Sequence, residues 1–186
     1  PIANAFLTSK QTSQPEYTFR LRAGFCEACL MVNLVDTVDP NMLFHDHYPY
    51  FSSISSVMDR HFTQLASTIG DTVLYNENLP VVEIGSNDGI LLQKLADRTP
   101  NAIGIEPSTN VANAAREKGL NIITEFFTSD LAGRIAAKHG PAQLIIGANV
   151  LCHIPDLHGL AHALVTLLDD EGVFIFEDPY LLEIIR

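Results

Sequence analysis

The most chemically suggestive stretch of this 186-residue sequence is Glu83-Ile-Gly85-Ser86-Asn87-Asp88-Gly89, set directly after the short apolar run Val81–Ile84. A glycine-rich turn lets the backbone approach a ligand closely, because no Cβ intervenes and positive φ is cheap. The turn departs from the dinucleotide fingerprint G-x-G-x-x-G, since Asn87 stands at the middle-glycine position and Glu83 precedes the turn. Carboxylates at Glu83 and Asp88 would repel a pyrophosphate and suit a cationic ligand. Glu106 ends the next apolar run, roughly 20 residues beyond the turn, an offset at which a carboxylate can accept both hydroxyls of an adenosine ribose. A third loop, Ala148-Asn149-Val-Leu-Cys152-His153-Ile-Pro155, follows a later apolar run. Its His153 is either a neutral imidazole able to accept a proton or a capping histidine.

Other reactive side chains are more scattered. His45, His47, Tyr48 and Tyr50 share one segment, followed by Ser52, Ser53, Ser55 and Ser56. Each tyrosine could line a site or pack on the helix that carries Met58 and Phe62. Cys26-Glu-Ala-Cys29 has the spacing of half a zinc site, whereas Cys152 reads as a small packed residue. His139, His158 and His162 fall on helices or their ends and read as solvated. Glu177-Asp178 could face a substrate or form a solvated turn.

The elements that must position these groups follow from hydrophobic periodicity. Short apolar runs at Val81–Ile84, Ala102–Ile105, Asn121–Thr124, Leu144–Gly147 and Val173–Glu177 alternate with helical patterns at Ile90–Asp97, after Pro107-Ser108 to Lys118, Leu131–His139 and Leu157–Leu168. That alternation predicts βαβ units and an α/β fold with a buried, mainly parallel sheet. Ligands of such sheets bind beyond the carboxyl ends of the strands, where all three loops fall. Ahead of them, Met58, Phe62, Leu65 and Ile69 recur at helical spacing and predict a helix packed on the sheet. Residues 1–45 have a different texture. Tyr17–Arg22 alternates like a strand, the CxxC follows, and Met31–Val35 reads as a second strand, a pattern resembling half a zinc ribbon.

Composition narrows the classes. A 47% hydrophobic and 18% charged chain of 20.4 kDa is a folded domain with at most a small appendage. Lys and Arg number 11 against 22 Asp and Glu, a net charge of −11, which disfavours nucleic-acid binding and adhesion to an anionic membrane. No apolar run approaches the roughly 18 residues of a spanning helix. Three cysteines do not make a secreted disulfide framework, so a cytoplasmic location is expected. The sequence opens at Pro1 without Met and stops at Arg186 after an apolar segment, so a longer parent is expected.

Taken together, the acid-flanked glycine turn, Glu106 and Asn149 resemble a class I S-adenosylmethionine methyltransferase with a Rossmann-like sheet. Adding Pro1–Leu7, Cys26–Cys29, Leu43–Ser53, Glu125–Phe127, Ala148–Ile154 and Phe176–Tyr180, the chain resembles the sugar C-methyltransferases. That family acts on nucleotide-linked 4-keto-deoxysugars in deoxysugar and antibiotic biosynthesis. The resemblance implies residues 1–45 as a partial zinc-binding module, 46–79 as a linker and helix contributing to the active site, and 80–186 as the cofactor domain. It implies S-adenosylmethionine held by Glu83, Gly85, Ser86, Asn87, Gly89, Glu106, Pro107, Phe127 and Asn149. Tyr48, Tyr50 and His153 are then the candidate catalytic residues, and Cys26 and Cys29 two of four zinc ligands. The substrate partner would be a nucleotide-linked sugar, most simply dTDP-linked; the resemblance assigns no oligomeric state. Two alternatives stand beside it: a non-catalytic fragment that binds the cofactor or a nucleotide sugar, and a nicotinamide-dependent oxidoreductase.

Overall fold

The computed structural model describes residues 7–184 and contains two units, residues 1–50 and 51–186. The first string of the resemblance, Pro1–Leu7, falls outside the described residues apart from Leu7. In the first unit, β1 (Ala23–Phe25) and β2 (Val32–Leu34) form an antiparallel hairpin around the CxxC turn. The Cys26 amide donates to the Met31 carbonyl and the Leu30 amide to that of Cys26, with Leu30 at φ 61°. This tight turn lets only the residues beside it pair. Val35 N–H still reaches the Arg22 carbonyl, but Asp36 then turns back to clasp the Arg22 guanidinium at 2.5 and 2.8 Å. The strand expected over Tyr17–Arg22 therefore starts at Ala23, because the partner chain runs out opposite Arg22. The short helix α1 (Pro40–Leu43) begins on Asp39, whose carboxylate accepts from the Asn41 amide, with proline at the first helical position.

The second unit is an α/β layer built on five parallel strands in the order β5-β4-β3-β6-β7. These are β3 (Val81–Ile84), β4 (Ala102–Ile105), β5 (Ile122–Ile123), β6 (Ala142–Ala148) and β7 (Leu168–Glu177). Strands β3 and β4 and nearly all of β6 are buried, as expected of central strands covered on both faces. The connecting helices are α2 (Ser56–Thr72), α3 (Ile90–Ala96), α4 (Thr109–Glu117), α5 (Ser129–His139) and α6 (Leu157–Leu167), with a last short helix, α7 (Leu181–Ile184). Strand alternation splits the core between the faces. Val82, Ile84, Ile103, Ile105 and Ile145 pack under α5 and α6, while Val81, Leu144 and Ile146 pack with Phe62, Ala66 and Ile69 of α2 and Leu91 and Leu95 of α3. The expected helix of Met58, Phe62, Leu65 and Ile69 thus lies on the sheet. Its start is capped by Ser55, as Thr128 caps α5 and Asp156 caps α6. Strand β3 pairs with β4 on one side and β6 on the other, so the chain changes direction across the sheet at the β3–β6 pair.

Candidate functional site

Strand β3 is apolar and buried except in chemistry: Glu83 is 4% exposed, and its Oε2 has no hydrogen-bond partner. Burial pushes its carboxyl well above the usual carboxylate range, partly offset by the Leu92 amide and reinforced by the charges of Glu106 and Asp88. The turn that follows requires its glycines. Gly85 has φ 68° and Gly89 φ 81°; a Cβ would lie 2.5 Å from Val150 Cγ2 at the first and 2.3 Å from Leu120 Cδ1 at the second. Asn87, at φ 50°, takes the left-handed conformation that asparagine tolerates better than most side chains.

Glu106 locks this turn to the next loop. Its Oε2 accepts the Asn87 amide at 3.0 Å and its Oε1 the Ser108 amide at 2.7 Å. Burial raises its carboxyl above the usual range, against the pull of the amides. Each oxygen keeps a further lone-pair direction, so the bond to the backbone leaves acceptor capacity. Ser108 sits at the N-cap of α4 without making a capping bond; its buried hydroxyl lies beside the Glu106 carboxyl, whose pKa it helps to lower, but like that of Ser86 it makes no hydrogen bond of good geometry. Three buried polar atoms without partners thus stand on or beside adjoining loops at the carboxyl rim. Each costs about 1–3 kcal/mol when unpaired, which marks the rim as a place prepared for a polar ligand.

Asp88 differs from its expected part. Its carboxylate, 1% exposed, accepts the Ser53 amide at 3.2 and 3.3 Å and the Ser53 hydroxyl, and Lys118 Nζ lies 3.5 Å away. Its charge is thus neutralised within the protein and closes the turn against the segment ahead of α2, where Asn87 Oδ1 also accepts the Ser52 amide at 3.0 Å.

Pro107 is half-buried between Glu106 and Ser108, and Phe127 is half-buried against the cluster holding Ile84 and Ile105. Asn149 is exposed at φ 57°, its amide donating to the Glu177 carbonyl at 2.6 Å. His153 is exposed on the turn Leu151–His153. Cys152, on the same turn, is exposed rather than packed, yet burial of its sulfur and the adjoining Asp178 carboxylate push the thiol up to about 12. His158 and His162 are exposed as expected; His139 is half-buried, which lowers its pKa. In the other unit, Tyr48 is half-buried with its ring 5.6 Å from that of Phe44, and Tyr50 is 44% exposed.

Cys26 and Cys29 are both exposed, and the Cys29 amide, followed by its side chain and the Ala28 amide, lowers the Cys26 thiol. A turn that aims amides at a thiol suits a metal-bound thiolate, but tetrahedral zinc takes four ligands. No group of three or more His, Cys, Asp or Glu able to hold a metal occurs among the described residues. No described helix is long and apolar enough to cross a membrane.

A cleft of about 300 Å³ bordered by Tyr75, Asn76, Arg98 and Gln143 opens at the opposite, amino end of the sheet. There the buried Gln143 amide binds the Tyr75 and Asn76 amides and the Asn76 and Leu79 carbonyls, which tie down the approach to β3. Strand-end geometry assigns ligands to the other rim.

With that geometry, a family model described as a methyltransferase domain matches residues 56–183. The chain belongs to the methyltransferase family. A second model, of a candidate zinc-binding domain, matches residues 1–44. The C-methyltransferase NovU of Streptomyces niveus is 31% identical over 186 residues, which is all of this chain and 44% of that protein, so the chain spans less than half of its curated relative. Among solved structures, a SAM-dependent methyltransferase from Anabaena variabilis is similar over 60% of this chain and 49% of its own, with a TM-score of 0.50 at 22% identity. The plantazolicin methyltransferase BpumL in complex with SAH is similar over 67% of this chain and 51% of its own, with a TM-score of 0.50 at 18% identity. The fold is that of the class I methyltransferases.

Proposed function

We propose that the chain is the cofactor-binding part of an S-adenosylmethionine-dependent C-methyltransferase acting on a nucleotide-linked 4-keto-deoxysugar, most simply a dTDP sugar. The observation that carries the cofactor reading is the set of unpartnered buried atoms Glu83 Oε2, Ser86 Oγ and Ser108 Oγ around the glycine turn. The carbon acceptor and the sugar class are supported by the likeness to NovU and by the ordered strings shared with sugar C-methyltransferases.

When bound, the cofactor supplies an electrophilic methyl group on a sulfonium. The chain's own residues bind and orient. Glu106, with Ser108 beside it, offers acceptors to the ribose hydroxyls, while Gly85, Ser86, Asn87 and Gly89 let the backbone come close. Glu83 offers a buried carboxyl whose ionisation a nearby cation would favour. Pro107, Phe127 and Asn149 complete the expected cofactor set. Carbon methylation beside a ketone needs an α-proton removed and the enolate oxygen stabilised, which is positioning and charge work rather than covalent catalysis. His153, Tyr48 and Tyr50 are the residues proposed for the acceptor side. Cys26 and Cys29 would contribute two thiolates to a structural zinc in the longer protein.

A thermal-shift comparison of S-adenosylhomocysteine with NAD tests the reading. A rise in melting temperature with the first and none with the second is expected; the reverse would establish the nicotinamide alternative. The 186 residues alone, which span 44% of the C-methyltransferase relative, should turn over little or no sugar, and robust methyl transfer by them would show that they hold the whole acceptor site.

A further inference from the structure

The glycine turn is held from three directions, two of which belong to the sheet and its helices. Glu106 takes the Asn87 amide from the end of β4, and Lys118, at the end of α4, donates to the Asp88 carbonyl at 2.7 Å. The third hold comes from residues 51–55, which have no strand of their own. Their 3₁₀ turn, Ser52–Ile54, closes on long bonds of 3.3 and 3.4 Å. None of residues 51–55 is in the buried core, and Ile54 is 81% exposed. What fastens them is polar. The Ser52 amide donates to Asn87 Oδ1 at 3.0 Å, and Ser53 gives both its amide and its hydroxyl to the Asp88 carboxylate. An element with few buried contacts opens at low cost, so this is the hold that can release while the sheet stays folded.

Both acceptors ride on the turn itself. Asn87 sits at φ 50°, with its amide on Glu106 and its Oδ1 on Ser52. Glu106, Asn87 and Ser52 thus form one chain of hydrogen bonds, running from the carboxylate assigned to the ribose out to the segment ahead of α2. Asn87 Oδ1 and the Asp88 carboxylate meet Ser52 and Ser53 together only while the turn keeps this left-handed shape. A ligand seated on the turn fixes that shape, so it binds the closed form better than the open one. By linkage, the closed form favours the ligand by the same factor.

We propose that residues 51–55 are a strap coupled to cofactor binding and that Asp88, with Ser53, is its positioning residue. This deepens the methyl-transfer reading and rests on it. Asp88 acts by holding the strap against the turn rather than by touching the cofactor. Its carboxylate is 1% exposed beneath the strap, with Lys118 Nζ at 3.5 Å to balance its charge. Asp88→Ala leaves the Lys118 bond to the backbone carbonyl in place and opens the Ser53 amide to water, so the variant isolates the strap.

The test uses the full-length protein with S-adenosylhomocysteine as the probe. Calorimetry measures its affinity, and hydrogen–deuterium exchange read by mass spectrometry follows peptides covering 51–55 and 85–89. In the wild type, saturation should slow exchange in both peptides. Asp88→Ala should weaken the affinity by about 5- to 150-fold and, at saturation, keep the protection of 85–89 while losing that of 51–55. Ser53→Ala should move both readouts the same way by less, and Ser53→Thr, which keeps the hydroxyl, should restore them. A purely structural role would not tie exchange in 51–55 to the ligand. Binding that protects 85–89 and leaves 51–55 unchanged in the wild type overturns the proposal and leaves the methyl-transfer reading intact. Wild-type affinity and protection in folded Asp88→Ala also overturn it; if that variant does not fold, the same result in Ser53→Ala does so. A wild-type protein that binds no S-adenosylhomocysteine removes the reading and the proposal together.

Discussion

Replacing Glu106 by alanine removes the acceptor of two buried amides, Asn87 N–H at 3.0 Å and Ser108 N–H at 2.7 Å. A buried donor left unpaired costs about 1–3 kcal/mol, so the pair costs about 2–6 kcal/mol, a large share of a typical domain stability of about 5–15 kcal/mol. Ionisation works the other way. Burial holds the folded Glu106 carboxyl above its ordinary value, so the folded state binds that proton more tightly than the unfolded chain does. The resulting stability is complete below an ordinary Glu pKa of about 4.3 and is lost as pH rises through the folded value. The deficit of Glu106→Ala should therefore be largest at or below the ordinary Glu pKa of about 4.3 and shrink as pH rises through the raised folded value. Glu106→Gln keeps one carbonyl for one amide and turns an NH2 toward the other, so about half the deficit, 1–3 kcal/mol, should remain. Urea unfolding across pH, with m-values compared to exclude a changed denatured state, measures both variants. A wild-type midpoint for Glu106→Ala at about pH 5 would refute the interlock. Calorimetry below the variant's melting range then reads the ribose contact separately, and unchanged S-adenosylhomocysteine affinity in folded Glu106→Ala would exclude it.

Glu83 carries the same sign more strongly, since its carboxyl is pushed well above the ordinary range. Wild-type stability should fall as pH rises from the unfolded carboxyl pKa toward that raised value, and Glu83→Gln should flatten the slope; a steeper slope in thermal melts of the variant would contradict the burial argument. Thiol labelling reads the cysteines. At about pH 8 a thiol at about 12 is ionised to roughly one part in 10⁴, so iodoacetamide should modify Cys26 long before Cys152 in a timed mass-spectrometric series, and equal rates would show that the Cys152 sulfur is not desolvated.

What could be read from sequence divides along the physics that leaves a trace in residue type. Val81–Ile84 and Ala102–Ile105 are strands at the expected residues because burial on both faces forces unbroken apolar runs. Strand β7 runs on from Leu168 through Asp169, Asp170 and Glu171, where pairing with β6 slips before resuming at Val173, and polar residues there conceal the pairing. Tyr17–Arg22 shows the converse: alternation allows a strand, but a ladder also needs a partner, and β2 ends opposite Arg22. At the rim, Gly85 and Gly89 are legible because positive φ and the absence of a Cβ demand glycine. The Glu106 interlock leaves no such mark, since both of its partners are backbone amides that any residue except proline would supply. His61 and Glu177 stand 116 positions apart, and only the packing of α2 over the end of β7 makes them neighbours. Ser108 lies between these cases. It reads as a helix cap, which is the commonest use of serine at that place, and the hydroxyl that makes no capping bond is what turns it from a cap into a candidate ligand contact.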